Sequence, residues 1–171
     1  MNSTSILERR HFLRSTTAAA LGVLGSAGPP LSAAQPAQKA SPAESLVKIL
    51  HDSLSEKQRE AICFGWNHTD PERGLLRTRI ENNWRITNPT VASSFYTRDQ
   101  QALIRGIFEG MTNPDWHDRF DQQLRDDVGG FGKRQSIAIF GEPGSGKFQF
   151  VLTSRHMTLR CDGDSAEHVA F

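Results

Sequence analysis

The residues Gly141, Gly146 and Lys147 have the G-x-x-x-x-G-K spacing of a P-loop, and they follow a short apolar run, Ile137–Phe140. In a P-loop, backbone N–H groups and the Lys hold phosphates at the mouth of a helix, and the next residue is a Ser or Thr whose hydroxyl ligates magnesium. Here Phe148 follows Lys147 and offers no oxygen. Beyond it, Phe148, Phe150 and Leu152 alternate with Gln149, Val151 and Thr153, which is a strand period rather than a helix period. Too little chain follows Lys147 for the rest of a nucleotide-binding sheet, and no apolar strand ending in a second, metal-holding Asp is available. We therefore read Gly141–Lys147 as the turn of a β-hairpin, with Pro143 and the glycines supplying its bends, and reject a nucleotide triphosphatase.

Four other groups have chemistry-bearing residue types. His156, beside Arg155 and near Thr158 and Arg160, is expected on the strand after the hairpin. It could serve as a general base or a ligand-binding group, or simply be a half-exposed strand histidine bonded to a neighbour. Glu142, at the hairpin tip, is the matching acid/base candidate, against a solvated turn residue. Asp162, Asp164, Glu167 and His168 begin like a calcium loop but lack its spaced oxygen ligands and terminal Glu, so a turn is expected there. Cys63, His68 and Asp70 lack the second ligand pair of a zinc site. No metal ligand set is assigned, and the cofactor, if there is one, is not specified. The chain's two cysteines, Cys63 and Cys161, either pair in an oxidising compartment or pack as buried free thiols.

The N-terminus carries an address. Arg9 and Arg10 precede Phe12, Leu13 and Arg14, a weakly apolar Ala/Gly-rich run spans about 16–28, and Ser32-Ala33-Ala34 then suits a signal peptidase, with cleavage expected after Ala34. This order resembles a twin-arginine (Tat) export signal, with Glu8 in place of the customary Ser or Thr. The resemblance implies a signal over 1–34, the Tat translocase as a transient partner, and a periplasmic or secreted destination. Tat cargo is exported folded and often carries a cofactor. The apolar run is too short for a stable spanning helix, which needs ~20 apolar residues. With a net charge of +1 and a pI near 7.9, nothing electrostatic points to nucleic acid or an anionic membrane.

The elements that must position these residues follow from caps and periodicity. Residues 35–40 are expected to be a leader, followed by a single domain over 41–171. Its first helix starts at Ser41, with Pro42 first inside, Glu44 completing a capping box, and Leu46, Ile49 and Leu50 on the buried face. A second box, Ser55 with Gln58, opens a helix that should bury Ala61, Ile62 and Phe64. After an irregular stretch, with a strand expected between Leu75 and Ile86, Thr97 and Gln100 cap a helix striped by Leu103, Ile104, Ile107, Phe108 and Met111. Asn113 and Pro114 open the next, which buries Trp116, Phe120 and Leu124 and closes at Gly129-Gly130; the charges of 119–127 are expected on its solvated face. Strands are expected at 136–140, 147–152 and 156–160. Helices come first and a mainly antiparallel hairpin and sheet region second, which is α+β.

The segments "SLSEKQREA", "DPER", "NNWRI" and "IAIFGEPGSGKFQFVLTSRHMTLRCDGD" resemble the bacterial family catalogued as a domain of unknown function, number 3500 in its series. Phe140, Gly141 and Pro143 match its F-G-x-P element. Residues 154–159 stand where that family has G-H-H-L-S-L, so His156 preserves only the second His, and Phe148 and Phe150 replace frequent Trp residues. The resemblance covers about 53–164, and members continue further, which implies a domain incomplete at its C-terminus. It brings no established activity. Two functions are expected: an exported hydrolase-like enzyme using His156 with carboxylates from elsewhere, or a periplasmic binding or structural module without chemistry.

Overall fold

The computed structural model describes residues 42–163. The expected signal residues Arg9, Arg10, Phe12, Leu13 and Ala34 lie outside the described residues, as do the cap Ser41 and the later Asp164, Glu167 and His168.

Helices α1 (Pro42–Ser53) and α2 (Glu56–Ile62) come first and lead into a short strand β1 (Cys63–Phe64). A small hairpin follows, β2 (Thr69–Asp70) and β3 (Gly74–Leu75), with a 3-10 turn at Leu76–Thr78. Next are α3 (Arg98–Gly110) and α4 (His117–Val128), the latter preceded by a 3-10 turn at Pro114–Trp116. The chain then forms β4 (Ser136–Gly141), β5 (Phe148–Ser154) and β6 (Met157–Asp162). The main sheet has the order β1-β4-β5-β6, with β1 parallel to β4 and the other pairs antiparallel. The architecture is α+β, as the order of caps and periods predicts.

Strand alternation gives the sheet two covered faces. Ile137 and Ile139 of β4 and Phe148, Phe150 and Leu152 of β5 pack into one cluster with Val47 and Leu50 of α1 and Ile104 and Ile107 of α3. Ala138, Phe140 and Val151 point the other way and meet Leu76, Trp84 and Ile86. Every β5 residue is buried, including Gln149 and Thr153, because this central strand is covered on both sides.

The segment around Trp84 and Ile86 is not the strand expected there. It is held to the sheet by side chains and one isolated bridge, Asn83 to Arg155, instead of a ladder. The Ile86 N–H donates to the Thr153 hydroxyl (2.9 Å), the Thr87 hydroxyl donates to the Ile137 carbonyl (2.8 Å), and the Trp84 indole N–H donates to the Thr158 hydroxyl (3.1 Å).

Tertiary contact also moves some helix faces. In α1 the buried stripe is Ala43, Val47 and Leu50, while Ile49 is 52% exposed. The partner helix decides this: α3 presents Gly106 to Leu46 and Gly110 to Ala43, where an added Cβ would sit 3.1 Å from either side chain. The bare glycines let the two axes approach along the Ala43 side. Cys63 and Phe64, expected in α2, take extended backbone and pair with Ile139 and Phe140. Trp116, expected in the core, is 49% exposed under the Arg119 guanidinium, because the tighter 3-10 turn puts it out of phase with Phe120 and Leu124.

Candidate functional site

Helix α4 presents two adjacent stripes toward the β5–β6 hairpin. Phe120 and Leu124, four residues apart, are apolar; Gln123 and Asp127, also four apart, are polar. Gly129 ends the helix just beyond them at φ 82°, a conformation that favours glycine. Opposite, Met157 and Leu159 share one face of β6, and the link Arg155-His156 joins the paired residues Ser154 and Met157.

His156 lies in this tight link and not on the strand expected for it. Its backbone has φ 56°, the only positive φ of a non-glycine residue among the described residues. The second position of such a link usually holds Gly or Asn. His156 is kept there by its surroundings: its N–H donates to the Asn82 carbonyl (2.7 Å), and Arg155 forms a β-bridge with Asn83. A left-handed backbone at a residue with a Cβ costs about 1–2 kcal/mol. Strain of this kind gathers at functional sites when neighbouring structure enforces it.

Asp127 joins the two basic residues of the link. Its carboxylate lies 3.4 Å from Arg155 Nε and 3.6 Å from His156 Nδ1. These are charge contacts, longer than hydrogen bonds. The His156 side chain is 48% exposed and Asp127's 24%, so the imidazole faces water while the carboxylate sits behind it. His156 Nε2 makes no hydrogen bond to the described residues.

Between α4 and the hairpin is a partly enclosed cavity of about 220 Å³, walled by Phe108, Phe120, Leu124, Met157 and Leu159. A wider, open groove of about 590 Å³ runs along α4 past Arg119 and Asp126. Gln123, Asp127 and His156 border both, which puts them at the junction between the apolar cavity and solvent. Chemically, this is a water-accessible imidazole with a carboxylate behind it, at the lip of a largely apolar chamber.

The other sequence candidates are elsewhere. Glu142 is exposed in the β4–β5 turn, at the opposite end of β5 from His156. Seven strand residues, roughly 20 Å, separate the two, so they do not form an acid/base pair. Thr158 and Arg160 point to the other face of β6. Thr158 accepts from Trp84, and Arg160 donates to the carbonyls of Arg77 (3.1 Å) and Arg79 (2.8 Å).

Lys147 is followed by extended backbone, and its ammonium lies 5.5 Å from the centre of the Trp66 ring, which also has the Arg77 guanidinium at 4.2 Å. Gly141 has φ 71°, and a Cβ there would collide with the Lys147 carbonyl oxygen. Its glycine therefore serves the hairpin's own close approach. Gly144, at φ 91° after Pro143, is the second bend, closed by Ser145 N–H donating to the Glu142 carbonyl (3.1 Å).

His68 stacks on Phe64, with ring centres 4.6 Å apart. Asp70 accepts from the backbone of Glu72 and Arg73 and pairs with the Arg73 guanidinium at 2.8 Å, which holds its carboxyl well below the usual range and closes the D-P-E-R turn. Among the described residues, no group of three His, Cys, Asp or Glu side chains could hold a metal ion, and no helix is long and apolar enough to cross a membrane.

Asp127 is the residue that the sequence concealed. It closes the run 119–127 of mostly charged residues, whose ordinary reading is solvated helix surface. Its only local signal is a position four after Gln123 and three after Leu124, on the border of the buried stripe. No family model, curated protein or solved structure matches the chain.

Proposed function

We propose that the chain is an exported, hydrolase-like protein whose small-ligand site is the cleft between α4 and the β5–β6 hairpin. Export rests on the twin-arginine resemblance of Arg9, Arg10, Phe12 and Leu13. Chemistry rests on one observation: a strained, water-accessible His156 held against Asp127 at the mouth of an apolar cavity.

His156 is the general base in this reading. A water at the lip gives a proton to Nε2 as its oxygen bonds the ligand's carbonyl carbon. The acyl–oxygen bond then breaks, and the same nitrogen returns the proton to the leaving alcohol. Asp127 is a positioning residue that favours the imidazolium formed between these steps.

A binding module without chemistry is the second reading. It is favoured by the 3.6 Å His156–Asp127 separation and by the engagement of the Thr158 hydroxyl with Trp84, which leaves the cleft without a free nucleophile from that residue.

The test has two arms. Replacing Arg9 and Arg10 with Lys should hold a reporter fused to the chain inside the cytoplasm; undiminished export removes the Tat reading. Hydrolysis of p-nitrophenyl acetate and benzoate by the purified chain should fall about 100-fold or more in His156→Ala, the scale of a lost general base. Asp127→Asn should lower the rate less than His156→Ala does. Equal rates for the wild type and His156→Ala leave only the binding module.

A further inference from the structure

Resting on that reading, we infer that the ligand is a neutral molecule with one compact apolar group, the size of a substituted benzene ring or an indole, seated in the cavity and joined to a polar group at the lip. The size follows from the chamber. A dry, apolar cavity of about 150 Å³ accepts benzene, and this one has about 220 Å³. That allows a ring with a short substituent or a second fused ring, but not a long acyl chain or a polycyclic plate.

The character of the group follows from the walls. Phe120, Met157 and Leu159 are only partly buried although apolar, and all three converge on the cavity with the fully buried Phe108. Phe108 and Phe120 meet edge to face at 5.9 Å, an arrangement that a third ring can extend.

Neutrality follows from the lip. Arg119 and Arg155 are balanced there by Asp126 and Asp127, so there is no net field to draw in an ion. At the junction the Asp127 carboxylate and the Arg155 guanidinium, 3.4 Å apart, offset each other. A ligand carboxylate would therefore lose its hydration without a net attraction to replace it, a cost that a neutral ester, amide or alcohol does not bear.

Saturation-transfer magnetic resonance and thermal shift on the purified chain can test this with benzyl alcohol, indole, benzoate and 1-pyrenemethanol. Benzyl alcohol and indole should bind at least tenfold more tightly than benzoate, and 1-pyrenemethanol should show no competable binding. Leu159→Trp, which fills the cavity from the sheet side, should abolish benzyl alcohol binding, and Met157→Phe should weaken it if the tryptophan variant does not fold. No response to either small neutral probe overturns the inference, as does benzoate binding equal to benzyl alcohol or pyrenemethanol binding as well. Size-limited binding without ester hydrolysis would uphold this inference and remove the hydrolase reading; hydrolysis without a size limit would do the reverse.

Discussion

His156 sits in a backbone conformation that glycine adopts without a Cβ penalty, so its side chain and its backbone have opposite preferences. That conflict is measurable. His156→Gly should raise stability by about 1 kcal/mol or somewhat less, because added freedom of the unfolded chain offsets part of the relieved strain. The midpoint of thermal unfolding, followed by circular dichroism, should rise by about 2–5 °C, while ester hydrolysis and its pH dependence disappear. A midpoint that falls by a similar amount would show that the imidazole's contacts outweigh the strain. The residue type could be singled out from the sequence, since a His beside Arg155 in an alternating stretch is conspicuous. Its strain could not, because φ is set by the pairing of Ser154 with Met157 and by the Asn82 carbonyl, 74 residues back along the chain.

At the scale of elements, the two capping boxes are interlocked. Gln58, third residue of α2, accepts the Ser55 N–H, and Gln100, third residue of α3, accepts the Thr97 N–H. The two amides also bond each other, at 2.8 and 3.1 Å, and each donates to the other segment's backbone: Gln58 to the Phe95 carbonyl and Gln100 to that of Ser53. Both are buried, at 8% and 4% exposure. Removing either amide takes one bond from each group of the other and leaves one N-cap N–H without its side-chain acceptor. Gln58→Ala and Gln100→Ala should each cost about 1–3 kcal/mol in urea unfolding. The double variant should cost less than their sum, by about 0.5–3 kcal/mol; strict additivity would mean that the amides act independently. S-x-x-Q and T-x-x-Q are readable as helix starts without any structure. That the two starts face each other is a property of the packed molecule.

For the whole molecule, the strand order settles the cysteines. Cys63, Ile139, Phe150 and Cys161 lie in one row across the sheet, with Cys63 on the edge strand β1 and Cys161 on the edge strand β6. Three strand spacings separate the thiols, roughly 14 Å, whereas a disulfide holds its Cα atoms within about 7 Å. Both are free. Burial pushes the Cys63 thiol up to about 11 and the Cys161 thiol up to about 12. A raised folded pKa means that the native state keeps a proton which the unfolded chain has released. The stabilisation is therefore complete below the unfolded value, near pH 9, and is lost as the pH rises toward 11 and beyond. Denaturant unfolding should show stability falling across that window, and the Cys63→Ala, Cys161→Ala pair should flatten the fall. Iodoacetamide at pH 8 should leave Cys161 unmodified until the chain unfolds; rapid labelling of Cys161 in the native chain would contradict its burial.

Local chemistry wrote much of this protein directly into its sequence. Capping boxes, the Gly129 stop, the Pro143-Gly144 bend and the alternation after Lys147 each depend on residues within a few positions of one another, so helix starts, the hairpin and the α+β order are legible from the letters. Contacts between distant segments are not legible in that way. The bare Gly106 and Gly110 chose which face of α1 is buried, a parallel partner drew Cys63 and Phe64 out of their helix, and the length of β5 separated Glu142 from His156. Packing α4 against the β5–β6 hairpin brought Asp127 to His156 and left an apolar chamber between them. Each of these outcomes is set by the shape and spacing of a partner far along the chain, which no short-range pattern encodes.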